Sequence, residues 1–171
     1  MGKIYYVMGK SASGKDTIYK RLVKKMPELG TVRMYTTRPI RDGETNGVEY
    51  IFTDEKQLQA MKDAGKVIEC RTYDTIYGPW SYFTADDGQI DLGSCSYLMM
   101  GTLESYEGLC KYYGAEVMVP LYIHVEDGVR LQRALNRENT QKNPKYAEMC
   151  RRFLADEKDF SKERLDQCGI I

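Results

Sequence analysis

A glycine-rich turn near the N-terminus constrains the fold of this chain more than any other stretch. Residues 4–8 read Ile-Tyr-Tyr-Val-Met, an apolar run typical of a buried strand, and lead directly into Gly9-Lys10-Ser11-Ala12-Ser13-Gly14-Lys15. The two glycines let the backbone fold closely around an oxyanion, and amide N–H groups at the start of the next helix point towards it. The sequence therefore predicts a strand, a phosphate-binding loop and a helix over residues 17–25.

This loop has the GxxxxGK spacing of the P-loop, with one departure. The pattern normally continues with Ser or Thr, whose hydroxyl holds Mg²⁺, whereas Asp16 occupies that position here. We expect the loop and the first turn of the helix to contact ATP through Gly9, Ser11, Ala12, Ser13, Gly14, Lys15, Asp16 and Thr17. A glycine-rich turn with an accidental lysine is the alternative, and its position between a strand and a helix argues against it.

Composition limits the class of protein. The chain has 171 residues with 25 Lys plus Arg and 25 Asp plus Glu, so no net charge is available to attract nucleic acid or an acidic membrane. We expect one compact domain without either of those partners and without a membrane span, and a monomer is favoured. The five cysteines are scattered without a CxxC pair, which favours free thiols and a cytoplasmic location.

The order of apolar and polar segments predicts an α/β fold. Strands are predicted at 32–36, 50–52, 67–73, 76–80, 94–100 and 117–125, and helices at 54–64, 103–113, 127–137 and 146–162. Continuous apolar strands are typical of a parallel sheet covered on both faces. We therefore predict one domain with a three-layer core, a β-rich insertion and a short lid. The core would comprise residues 1–32, 84–136 and 153–171, the insertion 33–83 and the lid 137–152.

A second charged segment is suited to bind a phosphate opposite the P-loop. Residues 36–50, the acceptor loop, read TTRPIRDGETNGVEY and are predicted to form a long loop. Arg38 and Arg41 can grip one phosphate, because a guanidinium fork matches its geometry, and the Tyr50 hydroxyl can add a hydrogen bond. Two arginines three positions apart are also common on solvated surfaces, so these residues alone leave both interpretations open.

Together, the two segments resemble the guanylate kinase family. The family's acceptor loop has the pattern TTRxxRxGExxGxxY, which residues 36–50 reproduce, and the similarity continues through Glu69 and Tyr77-Gly78 to about Arg152. The resemblance implies a P-loop NTPase core with a GMP-binding insertion, and transfer of the γ-phosphoryl group of Mg-ATP to GMP. It also implies a GMP site made of Arg38, Arg41, Tyr50, Glu69 and Tyr77. In that site, Glu69 would accept hydrogen bonds from N1–H and the exocyclic amine of guanine.

The resemblance places further cations in the predicted lid. Arg133 and Arg137 match the family's lid arginines best, although the register could slip to Arg130, and Arg152 fits a third position. Lid closure brings positive charge to the transferred phosphoryl group and expels water. A basic helix face exposed to solvent is the alternative for each of them. The predicted catalytic residues are Lys15, Arg38, Arg133, Arg137 and Arg152.

Two departures from the family pattern affect the predicted site. The family's third core strand ends in carboxylates, but residues 96–100 read Ser-Tyr-Leu-Met-Met. Asp16 is therefore the predicted Mg²⁺ ligand, because the metal needs only hard oxygen donors; a favourable charge at the helix start is the alternative. Met34 and Pro79 replace two serines near the guanine, which leaves Glu69 as the main predicted contact to the base.

Two other functions are compatible with these residues. A kinase of the same fold could use another nucleoside monophosphate or a sugar phosphate. The predicted base pocket lacks polar groups that the family has, whereas the residues predicted to bind the acceptor phosphate are retained. A catalytically impaired domain could instead bind phosphorylated peptides through the acceptor loop. The retained Gly9, Gly14 and Lys15 favour a kinase.

Overall fold

Two β-sheets form the framework of the molecule. The computed structural model describes residues 1–75 and 77–171 of the chain. Its strands are β1 (Ile4–Met8), β2 (Gly30–Thr31), β3 (Tyr35–Thr36), β4 (Ile51–Phe52), β5 (Val67–Thr75), β6 (Gly78–Ala85), β7 (Tyr97–Gly101) and β8 (Met118–Tyr122). Its helices are α1 (Lys15–Lys25), α2 (Glu55–Asp63), α3 (Leu103–Tyr113), α4 (Asp127–Asn139), α5 (Tyr146–Asp159) and α6 (Lys162–Gln167).

The first sheet is parallel and has the strand order β2-β7-β1-β8. Strand β1 pairs with β7 on one side and with β8 on the other, and four of its five residues are buried. Burial on both faces explains why this strand is apolar at successive positions rather than at alternate ones. Because the strands run in one direction, their carboxyl ends meet at one edge, where β1 continues into Gly9 and β7 into Thr102.

The second sheet is mixed, with the order β4-β3-β6-β5, and it lies in the predicted insertion except for the last two residues of β6. Strands β5 and β6 form its longest antiparallel pair, with a register shift between Val67 and Glu69. A small apolar cluster of Leu58, Phe83 and Ala85 packs α2 against this sheet. Helix α2 begins as the sequence predicts, because the Asp54 side chain accepts a hydrogen bond of 2.8 Å from the Gln57 N–H.

The predicted α/β class, with a parallel sheet and a P-loop strand, is confirmed. The predicted boundaries of β1 and α3 agree with the structure. The division into core, insertion and lid stays a prediction. No helix within residues 1–75 and 77–171 has the length and apolar character needed to cross a lipid bilayer.

The predicted strand at 32–36 is wrong, because the chain changes sheets there. Strand β2 ends at Thr31 in the first sheet, and β3 begins at Tyr35 in the second. Between them, the Arg33 N–H donates to the Gln89 side chain at 2.8 Å instead of to a neighbouring strand. Apolar periodicity cannot detect such a crossing, since both halves are β-rich.

Several other boundaries differ from the predictions. The strand predicted at 76–80 continues to Ala85, and those predicted at 94–100 and 117–125 are β7 and β8 with shorter or shifted bounds. Helices α1 and α4 are each two residues longer than the predicted 17–25 and 127–137.

The predicted turn at 74–75 belongs to β5, which continues to Thr75, while the predicted strand start at Ile76 lies outside the described residues. The predicted final helix at 146–162 is two helices, since α5 ends at Asp159 and the Ser161 hydroxyl accepts a hydrogen bond from the Arg164 N–H at the start of α6.

We expect Leu109→Ala to lower the free energy of unfolding by about 3 kcal/mol, because it leaves a cavity in the main core. Leu109 is 0% exposed and lies in the apolar cluster between the parallel sheet and α3. Urea denaturation measures the change. The matched control is Leu154→Ala, whose side chain is 69% exposed and whose expected effect is below about 0.5 kcal/mol. Equal effects of the two substitutions would contradict this assignment of the core.

Candidate active site

The P-loop has the curvature needed to surround a phosphate group. Gly14 adopts a left-handed conformation with φ 88° directly before α1, and Ala12 also has a positive φ of 61°. Gly9 has no room for a side chain, because a Cβ there would lie 2.8 Å from the Ile123 carbonyl oxygen. The buried Ser13 hydroxyl has no hydrogen-bond partner among the described residues. The backbone of the P-loop therefore packs closely against neighbouring residues of the protein.

A cavity of about 350 Å³, the central cavity, connects the P-loop with the second sheet. Its P-loop side is lined by Gly9, Ser11, Lys15 and Asp16, with Asp156 and Phe160 nearby. Strand β7 and the residue after it contribute Met100, Gly101 and Thr102, and the second sheet with its adjoining segments contributes Met34, Tyr50, Arg71, Tyr73 and Tyr82. The two predicted binding regions thus share one continuous space. Of the other predicted ATP contacts, Ala12, Ser13, Gly14 and Thr17 do not line it.

Arg38 is buried and does not line the central cavity, but it packs against Tyr50, which does. Its guanidinium makes two hydrogen bonds to Glu44, at 2.8 and 3.0 Å, and lies 5.8 Å from the centre of the Tyr50 ring. The hydrogen bonds from Arg38 hold the pKa of the Glu44 carboxyl below its usual range. Glu44 also accepts a hydrogen bond of 2.8 Å from the backbone N–H of the exposed Arg41. The Arg38 guanidinium, which was expected to bind a phosphate, is therefore already paired with a carboxylate.

Tyr77 lies outside the central cavity. Its side chain is 76% exposed and stacks on Trp80, with 5.9 Å between the ring centres. Of the predicted GMP contacts, only Tyr50 lines the cavity in this structure, while Arg41 and Tyr77 are on the surface.

Glu69 is buried between β5 and α3, and it does not line the central cavity. A Cβ on Gly108 of α3 would lie 2.5 Å from the Glu69 Cβ, which shows how closely the helix covers this position. The Glu69 carboxylate accepts hydrogen bonds from Arg71 Nε at 3.0 Å and from the Thr84 hydroxyl at 2.7 Å. Both of its oxygens therefore have partners within the protein.

Arg71 stands between Glu69 and the central cavity, and the sequence analysis missed it. Burial alone would lower the pKa of the Arg71 guanidinium, but the charge and hydrogen bond of Glu69 together with the nearby Tyr6 and Tyr73 raise the pKa. Its Nη1 donates to the Thr102 hydroxyl at 2.9 Å. The alternation of side chains along β5 was a usable signal, because residues two apart on a strand share a face. An arginine at that spacing from a glutamate indicates an ion pair.

Arg130 holds α4, α5 and the P-loop together. Its side chain is 1% exposed and contacts three carboxylates, at 2.7 Å to Asp127, 2.8 Å to Glu157 and 3.7 Å to Asp156. It also donates to the Ser11 carbonyl at 3.1 Å. The hydrogen bond from Arg130 lowers the pKa of the Asp127 carboxyl. Arg130 is thus fully engaged in ion pairs, which supports the register that uses Arg133 and Arg137.

The three predicted lid arginines lie near the P-loop but do not line the central cavity. Arg133 Nη1 is 3.5 Å from the Ala12 carbonyl oxygen. Arg137 and Arg152 line a small crevice together with Ser11. Arg152 also lies 3.6 Å from the Glu148 carboxylate. All three cations are therefore grouped around residues 11–12 of the loop.

The P-loop side of the central cavity carries two carboxylates, Asp16 and Asp156. Asp156 accepts a hydrogen bond of 2.7 Å from the Ser11 N–H. No group of three or more metal-binding side chains occurs among residues 1–75 and 77–171. This arrangement is compatible with Mg²⁺, which usually keeps several waters and takes one or two carboxylates together with substrate phosphates. Asp16, beside Lys15, has the right donor chemistry.

Comparisons with known proteins agree with this geometry. The sequence model of the guanylate kinase family matches residues 1–81, which contain both the P-loop and the acceptor loop. Residues 1–81 are therefore similar in sequence to the guanylate kinase family. The chain is 37% identical over 78 residues to a guanylate kinase of Legionella pneumophila, and 37% identical over 76 residues to one of Coxiella burnetii.

These matches cover 45% and 44% of the chain, and only 37% of each relative, so they reach little beyond a third of the curated proteins. The match to the family model ends at residue 81, before the predicted lid arginines. A crystal structure of a guanylate kinase from Anaplasma phagocytophilum superposes with a TM-score of 0.60, covering 98% of this chain and 81% of that one at 16% identity. The fold is thus similar to that structure along nearly the whole chain, at low sequence identity.

We expect Arg130→Gln to lower the free energy of unfolding by about 3 kcal/mol, because it removes the buried cation that three carboxylates share, and Lys10 pairs with only two of them, Asp127 and Glu157. Urea denaturation without nucleotide measures this. The matched control is Arg151→Gln on the surface of α5, where the side chain is 65% exposed and pairs only with Glu148. We expect Arg151→Gln to lower the free energy of unfolding by less than about 1 kcal/mol. If Arg130→Gln left stability unchanged, the structural role of this cluster would be refuted.

Proposed function

We propose that the protein transfers the γ-phosphoryl group of ATP to GMP, giving ADP and GDP. The observation that carries this proposal is the central cavity, which is lined by both Lys15 of the P-loop and Tyr50 of the acceptor loop. Phosphoryl transfer depends on holding donor and acceptor in line and on stabilising charge, rather than on covalent chemistry by the protein. A continuous space between two phosphate-binding segments meets that requirement.

The donor triphosphate would bind at the P-loop. Backbone N–H groups around Gly14 and the start of α1 provide the cradle, and Lys15 compensates the charge of the outer phosphates. Arg133, Arg137 and Arg152 are grouped on the other side of residues 11–12. Their position beside the loop favours a role as lid cations, which would require α4 and α5 to close over the transferred group.

The acceptor phosphate would replace Glu44 as the partner of Arg38. A phosphate offers the guanidinium the same two-oxygen arrangement as a carboxylate and carries more negative charge. The released acceptor loop could then carry Arg41 towards the same phosphate, next to Tyr50. Tyr77 would have to leave Trp80 to join them, so its predicted role requires the largest rearrangement.

Mg²⁺ would be held with the nucleotide phosphates by Asp16 and would neutralise charge on the transferred group. The balance of acidic and basic residues and the five free thiols support action on small-molecule substrates in the cytoplasm.

In a coupled assay with Mg-ATP, we expect ADP release that depends on GMP and is faster with GMP than with AMP, CMP or UMP. Lys15→Ala should reduce kcat/KM by about 100-fold or more, since it removes a cation from the charge that develops in the transition state. Lys24→Ala, an exposed lysine on the same helix, is the matched control. A protein that binds phosphorylated peptides but releases no ADP with any acceptor would refute the kinase proposal.

Asp16→Asn should raise the Mg²⁺ concentration for half-maximal activity by about 10-fold, because it removes the one anionic oxygen ligand offered by the helix start. Titration of Mg²⁺ at fixed ATP gives this value. Asp63→Asn on α2, also exposed, serves as the control for a lost surface charge. An unchanged Mg²⁺ requirement would leave Asp16 with only a favourable charge at the helix N-terminus.

A further inference from the structure

Apart from Lys15 of the P-loop, one cation among the described residues lines the central cavity, Arg71. Apolar and aromatic side chains also line it: Met34, Met100, Tyr50, Tyr73, Tyr82 and Phe160. Tyr82 makes edge contacts with both Tyr50 and Tyr73, with ring centres 5.7 and 5.9 Å apart. Aromatic faces of this kind are suited to contact a flat base, while Arg71 supplies the polar contact that fixes its orientation.

Arg71 keeps hydrogen-bond donors for a ligand after its protein contacts are made. Its Nε donates to Glu69, and one N–H of Nη1 donates to Thr102. Nη2 is 3.7 Å from the Met34 sulfur, which is a weak acceptor. A guanidinium has five N–H groups, so Nη1 and Nη2 each keep a second N–H, and Arg71 lines the cavity.

Glu69 is less accessible from the central cavity. Its oxygens accept from Arg71 and Thr84 and keep further lone pairs, but Glu69 does not line that cavity, and the bare backbone of Gly108 lies against its side chain. A base in the central cavity could reach the Glu69 carboxylate only if Arg71 moved away and left a buried guanidinium without its partner. Breaking such a pair is costly, so the guanidinium is the more accessible group for recognition.

We propose that Arg71 selects the base of the acceptor nucleotide, that the substrates are 6-oxopurine nucleoside monophosphates as a class, and that Glu69 positions Arg71. This inference rests on the proposed phosphoryl transfer to GMP.

The base would be recognised by the edge that carries O6 and N7. These two adjacent acceptors match an arginine fork, which is the reason arginine commonly contacts guanine in this way. Adenine offers N7 but has an amine donor at position 6, which faces the donors of Arg71 unfavourably. Hypoxanthine has the same O6 and N7 as guanine and lacks only the 2-amino group. Recognition by Arg71 therefore predicts that GMP and IMP are both good substrates.

The decisive experiment uses the unchanged protein with GMP, IMP, 7-deaza-GMP and AMP, and measures Kd by calorimetry and kcat/KM by ADP release. We expect GMP and IMP to agree within about threefold, and 7-deaza-GMP, which has C–H in place of N7, to bind about 10-fold more weakly. If Glu69 contacted the base, IMP would instead lose about 10-fold or more, since it lacks the exocyclic amine, and 7-deaza-GMP would behave like GMP. That second pattern would overturn the inference.

Two variants test the separate roles. Glu69→Gln keeps an acceptor for the Arg71 Nε–H. We therefore expect the ratio of kcat/KM for GMP to kcat/KM for AMP to stay within about threefold of its original value. A much larger decrease of this ratio would mean that the carboxylate itself contacts the base. Glu69→Gln combined with Arg71→Gln avoids an unpaired buried charge, and the same ratio should fall by about 10-fold. An unchanged ratio in the double variant would contradict the inference, and if that variant does not fold, the analogue series decides.

The outcomes also separate this inference from the proposed function. If the protein binds no purine nucleoside monophosphate and releases no ADP with any of them, both proposals fail. If GMP is phosphorylated while the IMP and 7-deaza-GMP results follow the pattern expected for Glu69, only the role of Arg71 fails.

Discussion

The position of β1 in the middle of the parallel sheet is the constraint on which the rest of the molecule depends. Met8 is in register with the last residue of β7 and the last residue of β8. The loops that follow these three strands must therefore leave the sheet at one edge. Burial of β1 on both faces fixes the place where the P-loop begins, and the backbone contact of Gly9 with Ile123 fixes its path. A mobile loop could not present the same set of N–H groups.

Buried arginines distribute positive charge around this framework. Arg38, Arg71 and Arg130 are each less than 10% exposed, and each is bound to at least one carboxylate. A buried charge without a partner is costly, so the carboxylates are needed for the fold. They also hold the guanidinium planes in fixed positions before a substrate arrives. The arrangement reduces the ordering cost of binding an anion, provided that the anion can replace a carboxylate or use the free donors.

Much of the site was predictable because it depends on local sequence. The GxxxxGK spacing between an apolar strand and a helix identified the P-loop, and the acceptor loop identified its counterpart. Arg71 was not predicted, although it lies two positions after Glu69 on the same strand. Its importance comes from α3, which covers Glu69 through Gly108 and leaves Arg71 on the cavity side. This arrangement brings together residues about 30 to 40 positions apart in the chain, so no local sequence pattern predicts it.

The sequence by itself determined the α/β class and the identity of the two phosphate-binding segments, because strand burial, glycine conformation and charge are local properties. Only the tertiary structure decided which charged groups are free. Arg38 forms an ion pair with Glu44, Arg130 forms ion pairs with the cluster of acidic residues, and Glu69 faces Arg71 rather than the central cavity. The physical reason is that a buried charge takes whichever opposite charge the packing brings within reach, and packing depends on contacts between distant parts of the chain.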